Sequence, residues 1–118
     1  MLHHPTPHII PAGETRELVF INEPNMDWHI VQQADSSLRV HILFLSEDDT
    51  AAQWQSQLFV EQNGTNCRTE IYAMGLLHGS QQAHLLTRVY HNIGGGYSSQ
   101  TLKFVLDENL EHAMHIEE

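Results

Sequence analysis

Apolar residues recur at every second position through most of this 118-residue chain, and short turn sequences interrupt the recurrence at intervals. This alternation is typical of strands with one buried face, whereas an amphipathic helix repeats its apolar positions every three or four residues. The pattern is clearest in segment 38–45, where one face would carry Leu38, Val40, Ile42 and Phe44. The sequence therefore predicts an almost all-β protein.

Three further rows of alternating residues predict strands of the same kind. Their inward positions would be Trp54, Ser56, Leu58 and Val60; Ala83, Leu85, Thr87, Val89, His91 and Ile93; and Leu102, Phe104 and Leu106. The strongest helical alternative is the segment SEDDTAAQWQSQ, in which Asp49 or Thr50 could cap a short helix. Strict alternation from Gln53 onward favours a strand in its second half.

Three segments resemble copies of one unit that consists of a strand, a tight turn and a strand: IIPAGETRELVFI, IVQQADSSLRVHILFL and LFVEQNGTNCRTEIYAM. Their turns fall at residues 12–13, 34–35 and 63–64, and the glycines 94–96 follow, in steps of 22, 29 and about 31 residues. A β unit repeated at this period predicts stacked coils. An antiparallel β-sandwich also fits, because Asn63-Gly64 is a common hairpin turn. Periodicity alone leaves both architectures open.

Composition excludes several classes of partner and location. Fifteen Asp and Glu against five Lys and Arg give a net charge of -10, which repels nucleic acid and anionic membranes. The beginning of the chain lacks the features of a signal peptide, and no stretch approaches the ~20 apolar residues of a membrane span. A single cysteine, Cys67, fits a reducing compartment. We therefore expect one cytoplasmic domain over residues 1–118, with no membrane segment.

The stretch VYHNIGGGYSSQTLKFVLDEN, residues 89–109, resembles the core motif of the SufB/SufD family, the scaffold proteins of iron-sulfur cluster assembly. The resemblance is closer to SufD than to SufB and covers roughly residues 9 to 110. It implies a short right-handed parallel β-helix that acts as a scaffold or binding protein without catalytic activity. The matching positions are His91, Ser98, Gln100, Lys103, Val105, Leu106 and Asp107.

Departures from the family pattern modify this expectation. Family members are several times longer and continue into further coils and a C-terminal helical segment that docks the ATPase SufC. The resemblance thus implies a truncated relative, with SufB-type or SufC-type proteins as possible partners but without tight binding to SufC. An uncovered final coil also predicts a homodimer, formed through Leu110 to Glu118 and the outward faces near Tyr97 and Phe104.

Residue types in the motif favour structural roles, and we predict no catalytic, cofactor-binding or metal-binding residue. His91 is expected to be a core histidine that hydrogen bonds to a turn, and Lys103 an outward side chain whose stem lies along the sheet. Cys67 is expected to point inward as a small apolar residue. One thiolate does not hold an iron-sulfur cluster, which needs about four ligands. Gly94 to Gly96 are expected to form a crowded turn between coils.

Ten histidines support one alternative from a different functional class, a small cupin-like β-barrel that binds a metal as an enzyme. Such barrels typically place two histidines one residue apart, and no His-x-His sequence occurs in this chain. Several of the histidines lie near the two ends of the sequence instead.

Overall fold

The computed structural model describes residues 6–23, 26–45, 53–77, 82–106 and 114–117, and these residues form strands and the turns between them. The nine strands are β1 (His8–Ile10), β2 (Thr15–Ile21), β3 (Asp27–Gln32), β4 (Ser37–Leu45), β5 (Gln53–Gln62), β6 (Arg68–Leu77), β7 (Gln82–His91), β8 (Tyr97–Leu106) and β9 (Met114–Glu117). Within this part of the chain there is no helix that could cross a membrane. The all-β prediction is confirmed.

The strands form two parallel sheets. Odd-numbered strands make a five-stranded sheet in the order β1-β3-β5-β7-β9, and even-numbered strands make a four-stranded sheet in the order β2-β4-β6-β8. Each pairing joins a strand to the one two places later in the chain, and every described pairing is parallel. The chain thus passes from one sheet to the other and back in each coil. The stacked coils predicted from the repeat are present, and the antiparallel pairing of a sandwich or cupin barrel is not observed among these strands.

The core lies between the two sheets and consists of the alternating rows. On β4 the predicted row of Leu38, Val40, Ile42 and Phe44 is at most 2% exposed. The other buried rows are Ser56, Leu58 and Val60 on β5, Thr69, Ile71 and Ala73 on β6, and Ala83, Leu85 and Thr87 on β7. Parallel register places residues of successive coils at one level, and full burial of one Leu or Ile contributes about 1.5–3 kcal/mol.

One position in each tight turn has a left-handed backbone conformation. It precedes the next strand of the four-stranded sheet by two residues and is occupied by Gly13, Asp35, Asn66 and Gly95, whose φ angles are 76°, 62°, 59° and 86°. Glycine, asparagine and aspartate are the residues that adopt this conformation at least cost. A column of permissive residues therefore follows the turn edge of the stack.

The third turn differs from the prediction. Its left-handed residue is Asn66, so the assignment of this turn to Asn63-Gly64 is wrong. Gly64 is required for a different reason, because a Cβ atom there would overlap the backbone of Ala34 in the preceding coil. The parallel coil, unlike a hairpin, needs its bend where the neighbouring coil bends.

The C-terminal end of the stack is only partly covered by described strands. β9 pairs with four residues of β7, Ala83–Leu86, and β8 has β6 as its one strand neighbour in the described part of the chain. His91 and Ile93, predicted to continue the inward row of β7, are exposed, which corrects that prediction. Residues 46–52 and 107–113 are not described, so the predictions for Asp49, Thr50 and Asp107 and for most of the C-terminal dimer contact lie outside the described residues.

Candidate interaction surfaces of the coil stack

A continuous chain of polar side chains runs through the apolar interior near the tight turns. Its members Gln32, Ser36, Gln62 and Thr69 are fully buried. Buried amides and hydroxyls lose their bonds to water, so each of them needs a partner inside the protein. The register supplies those partners, because Gln32 and Gln62 are aligned across β3 and β5.

Hydrogen bonds in this polar chain connect successive coils. The Gln62 Nε2 donates to Thr69 Oγ1 at 2.9 Å and to the Tyr97 carbonyl oxygen at 2.9 Å. The Thr69 hydroxyl donates to Gln32 Oε1. The Gln32 Nε2 donates to the Arg68 carbonyl oxygen at 3.0 Å. Arg68 and Tyr97 are themselves register partners, so each glutamine makes the same bond to the coil that follows it.

The motif positions continue this polar interior at the open end of the stack, where two of them are brought together. The His91 Nε2 lies 2.9 Å from Ser98 Oγ, and the Thr87 hydroxyl donates to Gln100 Oε1. His91 extends the column of Gln32 and Gln62, but its partner is a strand residue and its side chain is exposed, so the core interpretation is wrong. Lys103 is exposed on the outward face, as predicted.

The glycine run and Cys67 lie in the turns beneath this end. Gly95 has the left-handed φ, and a Cβ on Gly96 would overlap the Gln62 amide, whereas one on Gly94 would meet nothing within 4 Å. The turn role of the three glycines is confirmed, with crowding at Gly96. Cys67 is 2% exposed, as predicted, and its Sγ donates to the carbonyl oxygens of Gln33 at 3.2 Å and Gly64 at 3.3 Å.

The outward face of the four-stranded sheet carries a row of alternating charges. Glu17, Arg39 and Glu70 are register partners on β2, β4 and β6. The Arg39 guanidinium lies 3.6 Å from a carboxylate oxygen of each neighbour. The Arg68 Nε donates to Glu70 at 3.1 Å, and the Tyr72 hydroxyl donates to Glu70 at 2.6 Å. Glu70 is thus the most heavily bonded carboxylate of the row.

These bonds shift the protonation equilibria of the row. The hydrogen bonds from Tyr72 and Arg68 hold the pKa of the Glu70 carboxyl below its ordinary value, because they favour its charged form. The same hydrogen bond raises the pKa of the Tyr72 hydroxyl. Glu70 also raises the pKa of Arg68. The row therefore stays charged over the neutral pH range.

Farther along the strands the same face becomes apolar. The His41 and Tyr72 rings stack with centroids 5.4 Å apart and an angle of 19° between their planes. Beyond them lie the six residues of the apolar row, which are Val19, Ile21, Leu43, Leu45, Met74 and Leu76. Val19 is 55% exposed, Ile21 53% and Met74 43%. Neighbouring exposed apolar side chains in such a patch are typical of a contact surface.

The sequence did not identify this face, because its residues are distant in the chain. Glu17, Arg39 and Glu70 are separated by 22 and 31 residues. The distances between left-handed turn residues, 22 and 31 for the first two steps, are the signal that would have aligned them.

The outward face of the five-stranded sheet is polar and offers shallow clefts. The His29 Nε2 lies 2.6 Å from Glu61 Oε2, and the Asn92 side chain donates to Glu61 Oε1 at 3.2 Å. Among the described residues, no three of His, Cys, Asp and Glu come together to hold a metal ion. The surfaces described can bind another molecule through strand edges, charges and apolar side chains.

Comparisons with models of protein families, with curated proteins and with solved structures found no match to this chain.

Proposed function

We propose that this protein is a non-enzymatic scaffold or binding protein of the SufD type, which acts in the cytoplasm in iron-sulfur cluster assembly. Two features of the described residues support the proposal. The chain forms stacked parallel coils, the architecture that the resemblance implies. Of the motif positions, His91 and Ser98 meet at the open end of the stack and Gln100 contributes to its polar interior.

The observation that carries the proposal is the strand edge at this end. β8 is ten residues long, and in the described part of the chain it is bonded on one side, to β6. An edge of this length presents unpaired backbone donors and acceptors, to which a strand of another protein can be added. A SufB-type β-helix is the partner we propose for this edge, with a SufC-type ATPase as the second candidate.

Calorimetry with a purified SufB-type protein tests the proposal, with a pair of variants on β8. Gln100→Lys places a charge on the inward side of the edge strand, which blocks strand addition. Ser99→Lys places the same charge on the outward side and is the matched control. We expect binding that Gln100→Lys weakens at least tenfold and that Ser99→Lys leaves within a factor of about two, a tenfold change being about 1.4 kcal/mol.

Thermal unfolding of both variants establishes that each is folded at the assay temperature. Absence of binding to both the SufB-type and the SufC-type protein would contradict the proposal. Equal binding by the two lysine variants would contradict the assignment of the contact to the β8 edge.

A further inference from the structure

The outward face of the four-stranded sheet differs in charge from the rest of the protein. Its described charged residues are Glu17, Arg39, Arg68, Glu70 and Lys103, which give three positive and two negative charges, a net of +1. Because the whole chain has a net charge of -10, the remainder carries -11. A second copy of the chain would be repelled from most directions, and this face is the approach with the least repulsion.

The charged row is complementary to itself when a second copy is turned over. Consider a two-fold axis that lies between the copies, parallel to the strands and midway between β4 and β6. The axis places β4 of one protomer over β6 of its partner and preserves the level along the strands. Arg39 then faces the partner's Glu70, and Glu70 faces the partner's Arg39, because these residues are register partners within one chain.

The same axis brings apolar residues together along the rest of the face. Leu43 faces the partner's Met74, and Leu45 faces the partner's Leu76, since each pair is also in register. Val19 and Ile21, each more than half exposed in the single chain, flank this contact. The apolar row of one copy therefore covers the apolar row of the other, while opposite charges meet in the charged row.

The size of the face suits a weak but specific dimer. Four strands spaced about 4.8 Å apart and about nine residues long, rising about 3.3 Å per residue, cover about 570 Å² per copy. The two copies together would bury about 1,100 Å², slightly above the ~1,000 Å² that distinguishes specific interfaces from incidental contacts.

We propose that two copies of this chain associate through the outward faces of their four-stranded sheets, with Arg39 of each protomer paired with Glu70 of its partner. Sheets packed in this way are about 10 Å apart. The contact uses a face perpendicular to the β8 edge and is independent of the proposed binding at that edge. It also differs from the C-terminal contact that the sequence suggested.

Sedimentation velocity from about 1 to about 200 micromolar tests the association, since interfaces of this size dissociate in that range. We expect the mass to rise from that of the 13.5 kDa chain toward twice that value. A constant monomer mass over the whole range would overturn the proposal.

Two charge-reversal variants distinguish the contact between copies from the ion pair within one chain. Arg39→Glu alone makes like charges face each other across the interface, and Glu70→Arg alone does the same, so each variant should dimerise at least tenfold more weakly. An equimolar mixture of the two variants should form a heterodimer, because glutamate 39 of one then faces arginine 70 of the other. Native mass spectrometry, with one variant carrying a heavy-nitrogen label, identifies this species by its intermediate mass.

Arg88→Glu is the matched control, because Arg88 is an exposed arginine on the five-stranded sheet. It should leave dimerisation unchanged. Circular dichroism of all variants shows whether each retains its β structure. A dimer that persists in Arg39→Glu, or a mixture that fails to form heterodimers although both variants are folded, would overturn the proposal.

Discussion

Replacement of Thr69 by valine removes the hydroxyl at the centre of the buried polar chain while nearly preserving the shape of the side chain. The hydroxyl accepts a hydrogen bond from Gln62 and donates one to Gln32. After the substitution, Gln32 Oε1 loses its described donor, and Gln62 Nε2 retains the Tyr97 carbonyl as its acceptor. Both glutamines remain buried, so water does not replace the lost bonds.

The expected cost follows from these two losses. A buried polar group without a partner costs about 1–3 kcal/mol. Gln32 Oε1 incurs this cost in full, and Gln62 Nε2 in part because it keeps one acceptor. We therefore expect Thr69→Val to lower the free energy of unfolding by about 2–4 kcal/mol, a large share of the ~5–15 kcal/mol typical of a small protein.

Equilibrium unfolding in urea measures this loss, with tryptophan fluorescence as the signal. Trp28 is a suitable reporter, because its ring packs edge-on against Phe20 with centroids 4.9 Å apart. With a denaturant dependence of about 1.5 kcal/mol per molar, the midpoint should fall by between about 1 and 3 M. Thr69→Ser keeps the hydroxyl and should lose about 1 kcal/mol through the missing methyl group.

Thr101→Val is the matched control, since Thr101 is exposed on the outward side of β8. Its effect should stay within about 0.5 kcal/mol. The reasoning about the buried chain fails if Thr69→Val is no more destabilising than Thr69→Ser, or if its midpoint coincides with that of Thr101→Val.

Three further predictions concern the turns, the charged row and cluster binding. Gly64→Ala should destabilise the fold by about 1–3 kcal/mol through overlap with the preceding coil, whereas Gly94→Ala, whose Cβ meets nothing, should be nearly neutral in urea unfolding. Glu70→Gln removes a carboxylate of lowered pKa, so the stability difference from the unmodified protein should be largest above about pH 4.5 and shrink as the pH falls through the lowered pKa; a pH-independent difference in urea midpoints would contradict this. Reconstitution with iron and sulfide should leave the protein colourless, because its single cysteine is buried and a cluster needs about four ligands; stoichiometric iron and sulfide with visible absorption would show otherwise.

The buried rows could be predicted from the sequence because alternation is a local property of each strand. The misplaced third turn did not spoil them. The predicted step between the second and third turns was 29 residues, and the observed step is 31, an error of two. A shift of two residues keeps every side chain on its own face of the sheet, so the inward rows were right.

The same error has a large effect on the partners of those residues. A step of 29 residues would place Arg68 beside Arg39, a pair of like charges, whereas the observed step places Glu70 there. The charged row was therefore not predictable without the register. His91 shows a second limit of local patterns, because its inward direction follows from alternation, but its burial depends on a further coil. In the described residues β9 reaches only Ala83–Leu86 and leaves His91 exposed.

Pairing of each strand with the second next strand also determines how the chain can fold. Every contact between coils closes a loop of about 22 to 31 residues, the spacing of the turn positions. Closing a loop of about 30 residues costs about 3 kcal/mol of chain entropy, and this cost recurs for each added coil. The first pair of coils is thus the hardest to form, since no template exists for it. Later coils add to an existing edge, so order spreads along the stack from neighbour to neighbour and is lost from the ends inward.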